Sequence, residues 1–211
     1  MKVIGLTGGI GSGKSTFCEL MAEHGIATVD TDQISRQVVK PNSAGLAQVV
    51  KEFGVEILNS DDSLNRAALR EKIFADPLDQ SARQKLEMIL HPLIHAETQK
   101  QIQDYQQDES YQAPYLLVAI PLLVEGILKK GHKPDYVDEI WVLDCSEETQ
   151  IQRASQRDGV NLENIKNILE HQASREQRQS YADKIIHNDG DLAKLNEQIK
   201  KFFSPTKARS H

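Results

Sequence analysis

The chain has 211 residues, 39% of them hydrophobic and 27% charged, with a formal net charge of −6. That length suits one domain with a small insertion, burying roughly 70% of the surface its unfolded form exposes. The acidic balance argues against a general nucleic-acid binder, which favours a basic face. The two cysteines, Cys18 and Cys145, sit in apolar patterns and read as reduced core thiols of a cytoplasmic protein, not a disulfide or zinc site. The longest apolar run, Tyr115 to Val124, contains Pro121 and is about half of the ~20 residues a membrane span needs. With no basic leader either, neither secretion nor a membrane anchor is expected.

Lys2 to Leu6 is a β-rich run, followed by a glycine-rich stretch and then by Phe17, Leu20 and Met21 at helical spacing, with Gly25 as the stop. Ile26 to Val29 reads as a second strand, ending at Asp30-Thr31-Asp32. From Ser43 to Tyr105 the pattern is almost wholly helical, with stripes at Leu46, Val49, Val50 and Phe53, at Leu69, Ile73 and Phe74, and at Leu86, Ile89 and Leu90. His91-Pro92 is expected to break this run, Pro92 starting a new helix. Tyr115 to Ile120 is apolar at every residue, as in a strand buried on both faces. Glu139 to Leu143 reads as another strand, and Ser146 caps a helix whose first turn carries Glu147 and Glu148. A polar helical stretch covers Asn161 to Arg178, Lys184 to His187 reads as a last strand, and Leu192, Leu195, Ile199 and Phe202 mark a closing helix before a frayed tail from Ser204.

Strands alternating with helices imply a parallel α/β sheet with helices on both faces. The expected core comprises residues 1–42, 112–150 and 180–203. A helical subdomain over 43–111 is inserted, a lid covers 151–179, and a tail covers 204–211.

Gly8 to Ser15 fits G-x-x-x-x-G-K-[ST], between a strand and a helix. Glycines at Gly8, Gly9, Gly11 and Gly13 let the backbone curl so that successive N–H groups, including that of Ser12, face phosphate oxygens. The helix opening near Lys14 adds its positive end. Lys14 suits the β- and γ-phosphates, and the Ser15 hydroxyl suits Mg²⁺. This is a triphosphate cradle extending to Thr16. The D-x-x-G and N-K-x-D patterns of switch GTPases are absent from the sequence, which leaves a small kinase as the natural reading.

A kinase needs a carboxylate to accept or orient the proton of the acceptor hydroxyl, and Asp32, just past the second strand, is the candidate. Its alternative role is to cap a helix starting at Gln33. Asp30 is structural or lies close to the metal. Arg153 and Arg157 share a helix face and suit the charge of a transferring phosphoryl group; the alternative is a solvated face with Asp158. Arg175 and Arg178 are weaker candidates of the same kind. His91 sits at a helix junction. Glu125 closes a buried strand-like run, where a carboxylate is costly unless paired. Arg66 stands beside its Asn65 cap, and Asn188-Asp189-Gly190 forms a turn that can border the base.

The ordered set TGGIGSGKST (Thr7 to Thr16), Asp30 to Asp32, R-x-x-L-R-x-x-[IV]-F (Arg66 to Phe74), HPLI (His91 to Ile94), PLLVE (Pro121 to Glu125), RxxxRD (Arg153 to Asp158), QASRE at Gln172 and ADxxIxN (Ala182 to Asn188) resembles the dephospho-CoA kinase family. Thr31, Val124 and His187 depart from the family's usual residues. The resemblance implies a three-layer P-loop fold and a reaction in which ATP, with Mg²⁺, phosphorylates the ribose 3′-hydroxyl of dephospho-CoA. It implies that Arg66, His91, Leu122 and Glu125 bind the acceptor, that Asp32 is the catalytic carboxylate, and that Asn188 lies near the ATP base. The alternatives are a nucleoside or nucleoside monophosphate kinase, and a slow nucleotide-dependent switch. A monomer with no nucleic-acid partner is expected.

Overall fold

The computed structural model of the chain describes residues 1–75, 80–158 and 162–203. The expected frayed tail from Ser204 lies outside the described residues. Five strands form one parallel sheet in the order β2-β3-β1-β4-β5: β1 (Lys2–Thr7), β2 (Thr28–Asp30), β3 (Tyr115–Ala119), β4 (Glu139–Asp144) and β5 (Lys184–His187). In register, Ile4 faces Leu117 across β1 and β3, and Leu6 faces Trp141 across β1 and β4.

Two compact units divide the chain, one comprising Met1–Val29 with the residues from Asp108 onward, the other Asp30–Gln107. In the first, the period-2 alternation of strand side chains sorts the core into two faces. Trp141 and Leu143 of β4 join Ile4, Leu6 and Ile186 against Phe17, Leu20 and Met21 of α1 (Lys14–Glu23) and Leu195 and Ile199 of α10 (Leu192–Phe203). Ile140 and Val142 face the other way, onto Leu123 and Ile127 of α6 (Leu123–Lys130). Both faces of β4 are therefore buried, which is why it reads as an unbroken apolar run. Among the described residues this unit also holds α7 (Glu147–Asp158), which packs against α8 (Leu162–His171), and α9 (Arg175–Ser180), which packs against β4. Ser146 caps α7 as expected, its Oγ accepting from Thr149 N–H at 3.3 Å.

The second unit is built from amphipathic stripes. Its helices are α2 (Thr31–Gln37), α3 (Ala44–Phe53), α4 (Arg66–Ile73) and α5 (Ser81–Gln107), with a 3-10 turn at Val55–Ile57. Leu46, Val49 and Phe53 of α3 and Leu69 and Ile73 of α4 bury together with Leu86, Ile89 and Leu90 of α5. Phe74, expected in that stripe, is instead 55% exposed just past the end of α4.

Three expected boundaries are corrected. The helix does not break at His91-Pro92: α5 runs through Pro92 for 27 residues. Proline removes one N–H and releases the carbonyl one turn back. Here that carbonyl belongs to Met88, a residue 68% exposed. Packing of α5 against α2, α3 and α4 supports the helix along its length. Second, β3 stops at Ala119, and Glu125 lies in the first turn of α6 rather than at the end of a strand. Third, the polar stretch is two helices, since α8 ends at His171 and α9 restarts at Arg175 behind the Ser174 capping box.

Candidate active site

The glycine-rich loop joins β1 to α1, at the carboxyl edge of the parallel sheet where α/β folds place their ligands. Its curl depends on backbone that side chains resist: Gly11 has φ +70° and Gly13 has φ +90°, both in the left-handed region. Gly13 is the N-cap of α1 and offers no side chain to cap it. The first N–H groups of α1 are thus left uncapped by any side chain, with the positive end of the helix behind them.

The rest of the loop is held by side chains. Lys14 Nζ donates to the Gly8 carbonyl at 2.6 Å. Asn188 Nδ2 donates to the Ser12 carbonyl at 2.8 Å, and Asn188 N–H donates to the Asp144 carbonyl at 2.7 Å. The guanidinium of Arg153 donates to the carbonyls of Asn188 at 2.7 Å and Gly190 at 3.0 Å. Arg153 thereby stands beside the loop by holding the segment that supports it. Arg157 lies one turn farther along α7 and is exposed; its alternative partner Asp158 falls outside the described side chains. Thr16 and Ser15 follow Lys14 in the first turn of α1, with the Ser15 side chain exposed.

A charged layer backs this loop. Asp144, buried at the end of β4, accepts from Arg175 Nε at 2.8 Å and Nη2 at 2.6 Å, and from Gln179 Nε2 at 3.1 Å. This two-pronged pairing raises the Arg175 guanidinium above its ordinary value. Arg178 is buried at 6% exposure and donates to the Ala173 carbonyl at 2.5 Å. Burial lowers its pKa, while the charge of Glu125 opposes that shift. Glu125 Oε1 accepts from Ala173 N–H at 2.7 Å, and its Oε2 is buried with no hydrogen-bond partner among the described residues. A carboxylate oxygen so placed is costly to leave unmet, as the sequence pattern suggested. Leu122, just before α6, is 52% exposed. Cys145 is buried, and burial pushes its thiol up to about 11, so it stays protonated and inert at neutral pH.

In the helical unit, the cap of α2 is Asp30 and not Asp32: Asp30 Oδ1 accepts from Asp32 N–H at 2.8 Å and Gln33 N–H at 3.2 Å. The helix begins two residues earlier than expected, which moves the cap to the last residue of β2 and puts the exposed Asp32 in the first turn. Asn65 caps α4 as expected, accepting from Ala68 N–H at 3.0 Å, and Arg66 opens that helix exposed to solvent. His91 is an exposed residue in the middle of α5.

Sequence reasoning missed Gln150 and undervalued Gln172 and Arg178. Gln150, Arg153 and Arg157 fall at i, i+3 and i+7, one face of α7, and that spacing was the available signal. No equivalent local signal marks Gln172, whose loop partner, Ile10, is 162 residues away.

A glycine-lined phosphate cradle opening the first helix of a parallel, helix-flanked sheet defines the P-loop kinase class. Within that class, the family profile described as dephospho-CoA kinase matches residues 2–194. A dephospho-CoA kinase of Aggregatibacter actinomycetemcomitans is 48% identical over 198 residues, covering 94% of this chain and 89% of the relative. One of Escherichia coli (strain K12) is 44% identical over 201 residues, covering 92% and 91%. Among solved structures, a dephospho-CoA kinase from Campylobacter jejuni superposes with a TM-score of 0.66 at 25% identity, covering 96% of each chain. A Thermus thermophilus protein shares the fold with a TM-score of 0.76 at 24% identity, covering 96% of each. The chain belongs to the dephospho-CoA kinase family.

Proposed function

We propose that the chain transfers the γ-phosphoryl group of ATP to the ribose 3′-hydroxyl of dephospho-CoA, yielding coenzyme A and ADP, the last step of coenzyme A synthesis. The observation that carries this reading is the family match over residues 2–194, which spans both the cradle and the helical unit. Phosphoryl transfer passes through a loose transition state, so positioning and charge neutralisation do most of the catalysis. The amides of Gly9, Gly11 and Gly13 and those of the first turn of α1 hold the triphosphate, and the Ser12 N–H, expected to join them, closes the loop on the Gly9 carbonyl. Lys14 leaves its internal contact with the Gly8 carbonyl for the phosphates, a short move within the same loop. Arg157 neutralises charge on the moving phosphoryl group as α7 and α8 close over it. Arg153 holds the Asn188 segment, which borders the base.

Asp32 takes the ribose proton. Arg66, His91, Leu122 and Glu125 bind the acceptor. Ser15 would help hold Mg²⁺, which would offset the charge of the phosphates. The residues fit an ion that arrives with the nucleotide: Ser15 offers one exposed hydroxyl beside the cradle, and the described residues hold no cluster of three or more His, Cys, Asp or Glu able to cage a metal alone. A cytoplasmic monomer completes this reading; no helix among the described residues is long and apolar enough to cross a membrane.

The test is incubation with ATP, Mg²⁺ and dephospho-CoA, with mass detection of the product, beside a panel of nucleosides and nucleoside monophosphates. A mass gain of one phosphoryl group on dephospho-CoA is expected. Phosphorylation of a panel member with none on dephospho-CoA would sink the proposal.

A further inference from the structure

The Ile10 peptide at the tip of the glycine loop is gripped on both sides. Its N–H donates to Gln172 Oε1 at 3.0 Å, and its carbonyl accepts from Gln150 Nε2 at 3.0 Å. Gln150 stands on α7 and Gln172 at the junction of α8 and α9, 140 and 162 residues from Ile10 in the chain. The orientation of each side-chain amide is dictated by chemistry. Only a carbonyl oxygen accepts from the Ile10 N–H, and only an NH₂ group donates to its carbonyl.

The planarity of the peptide carries this grip into the cradle. In a trans peptide the C=O of one residue and the N–H of the next point in opposite directions. Holding the Ile10 carbonyl on Gln150 therefore turns the Gly11 N–H away from α7. Asn188 does the same two residues on, holding the Ser12 carbonyl and turning the Gly13 N–H. Holding the Ile10 N–H on Gln172 turns the Gly9 carbonyl the other way, and it accepts from Ser12 N–H at 3.2 Å. The peptides are thus pinned from outside, and the N–H groups of Gly11 and Gly13 point away from the side chains that pin them.

Gln150 is 4% exposed, so its amide is committed here and water does not compete for it. The loop is also shaped to admit the grip. A Cβ at Gly9 would lie 2.0 Å from Gln150 Nε2 and 3.0 Å from the Arg178 guanidinium. A side chain at position 9 would therefore push the Gln150 amide off the Ile10 carbonyl.

We infer that Gln150 and Gln172 are positioning residues for phosphoryl transfer. By clasping the Ile10 peptide they aim the Gly11 N–H at the nucleotide's phosphates, and they couple the cradle mechanically to α7, α8 and α9. The inference deepens the kinase reading above, but it acts on nucleotide binding and is measured without any acceptor.

The full chain carrying Gln150→Met, Gln172→Met or Gln172→Glu is titrated with Mg²⁺-ADP, and amide hydrogen exchange at Ile10 is followed without nucleotide. Each methionine variant is expected to bind ADP about three- to tenfold more weakly, the worth of one net hydrogen bond. Ile10 exchange should speed up in Gln172→Met and stay slow in Gln172→Glu, which keeps the accepting oxygen. A general loss of stability would not separate those two variants. ADP affinity within twofold of wild type in both methionine variants would overturn the clasp. So would equal Ile10 exchange in Gln172→Met and Gln172→Glu. Should Gln150→Met fail to fold, the half-buried Gln172 pair decides alone. Failure of the kinase reading looks different: wild type binds ADP but makes no coenzyme A.

Discussion

The unit that carries the phosphate cradle and the helical unit of Asp30–Gln107 are held together by different means. In the first, function lies in backbone groups that must be pinned, and the pins come from far away in sequence: 140 residues for Gln150, 162 for Gln172 and 176 for Asn188. In the second, order comes from neighbours. Asp30 and Asn65 cap helices two or three residues ahead, and stripes three or four residues apart make the core. A glycine loop with three positive-φ or tightly packed positions is floppy alone, so it needs outside restraint to present its amides. A helix organises itself once its stripe finds a partner, and its exposed face is then available for a substrate.

That contrast is broken or sharpened by four changes. The largest effect is expected from Asp32→Asn. If the helical unit supplies the base and the other unit holds the nucleotide, turnover falls by about 10²–10⁴-fold while ATP affinity is kept. Steady-state rates beside a direct ATP titration check this, and a variant with more than half of wild-type turnover refutes the role. Lys14→Ala comes next, with a fall of about 10²–10³-fold in turnover, as for loss of one preorganised charge-stabilising group. Unlike Asp32→Asn it should weaken nucleotide binding too; intact ATP affinity in this variant would contradict the cradle.

Phe53→Ala removes an aromatic ring that is 5% exposed in the helical core and should cost about 3 kcal/mol of stability by thermal or denaturant unfolding. At a temperature where the variant is still folded, its ADP affinity should match wild type. A parallel loss of ADP affinity would show that the two units are not separable in this sense. The smallest effect concerns acid. Asp189 accepts from Ser146 N–H at 2.7 Å and from Thr149, and the backbone bond is the main reason its carboxyl sits below 3.8. Its folded pKa is depressed, so its stabilisation is present above about pH 4 and is lost as pH falls through the lower folded value. Because Asp189 is exposed, Asp189→Asn should flatten the acid side of the stability profile only slightly, and unfolding midpoints between pH 3 and pH 6 will show it. A larger loss at pH 6 than at pH 3 is the expected sign; the reverse contradicts the assignment.

Much of this architecture was legible in the linear pattern because its causes are local. The run Glu139 to Leu143 is apolar on both alternating sets of side chains, and β4 is buried on both faces. The stripe at Leu46, Val49 and Phe53 is a helix core for the same reason of period. Pro92 misled because a proline need not end a helix whose two flanks are both held by packing. Asp30 is structural, as one of its two readings had it, and the cap offered as the alternative role of Asp32 falls to Asp30 because a two-residue shift in a helix start changes which carboxylate reaches the free N–H groups. At the site, Lys14, Ser15 and the glycines announced themselves through a contiguous motif. The roles of Arg153 as a brace for Asn188 and Gly190, and of Arg178 as a buried cation beside Gly9, did not.

The order of residues alone determined the phosphate cradle, the alternation of strands and helices, and the amphipathic faces, since each depends on spacings of two to eight positions. Tertiary structure alone decided which side chains grip the Ile10 and Ser12 peptides, which buried carboxylate meets Arg175, and that α5 continues through its proline. Hydrogen bonds and ion pairs act over about 3 Å. Partners separated by more than a hundred residues reach that distance only after the sheet has set which loops lie side by side.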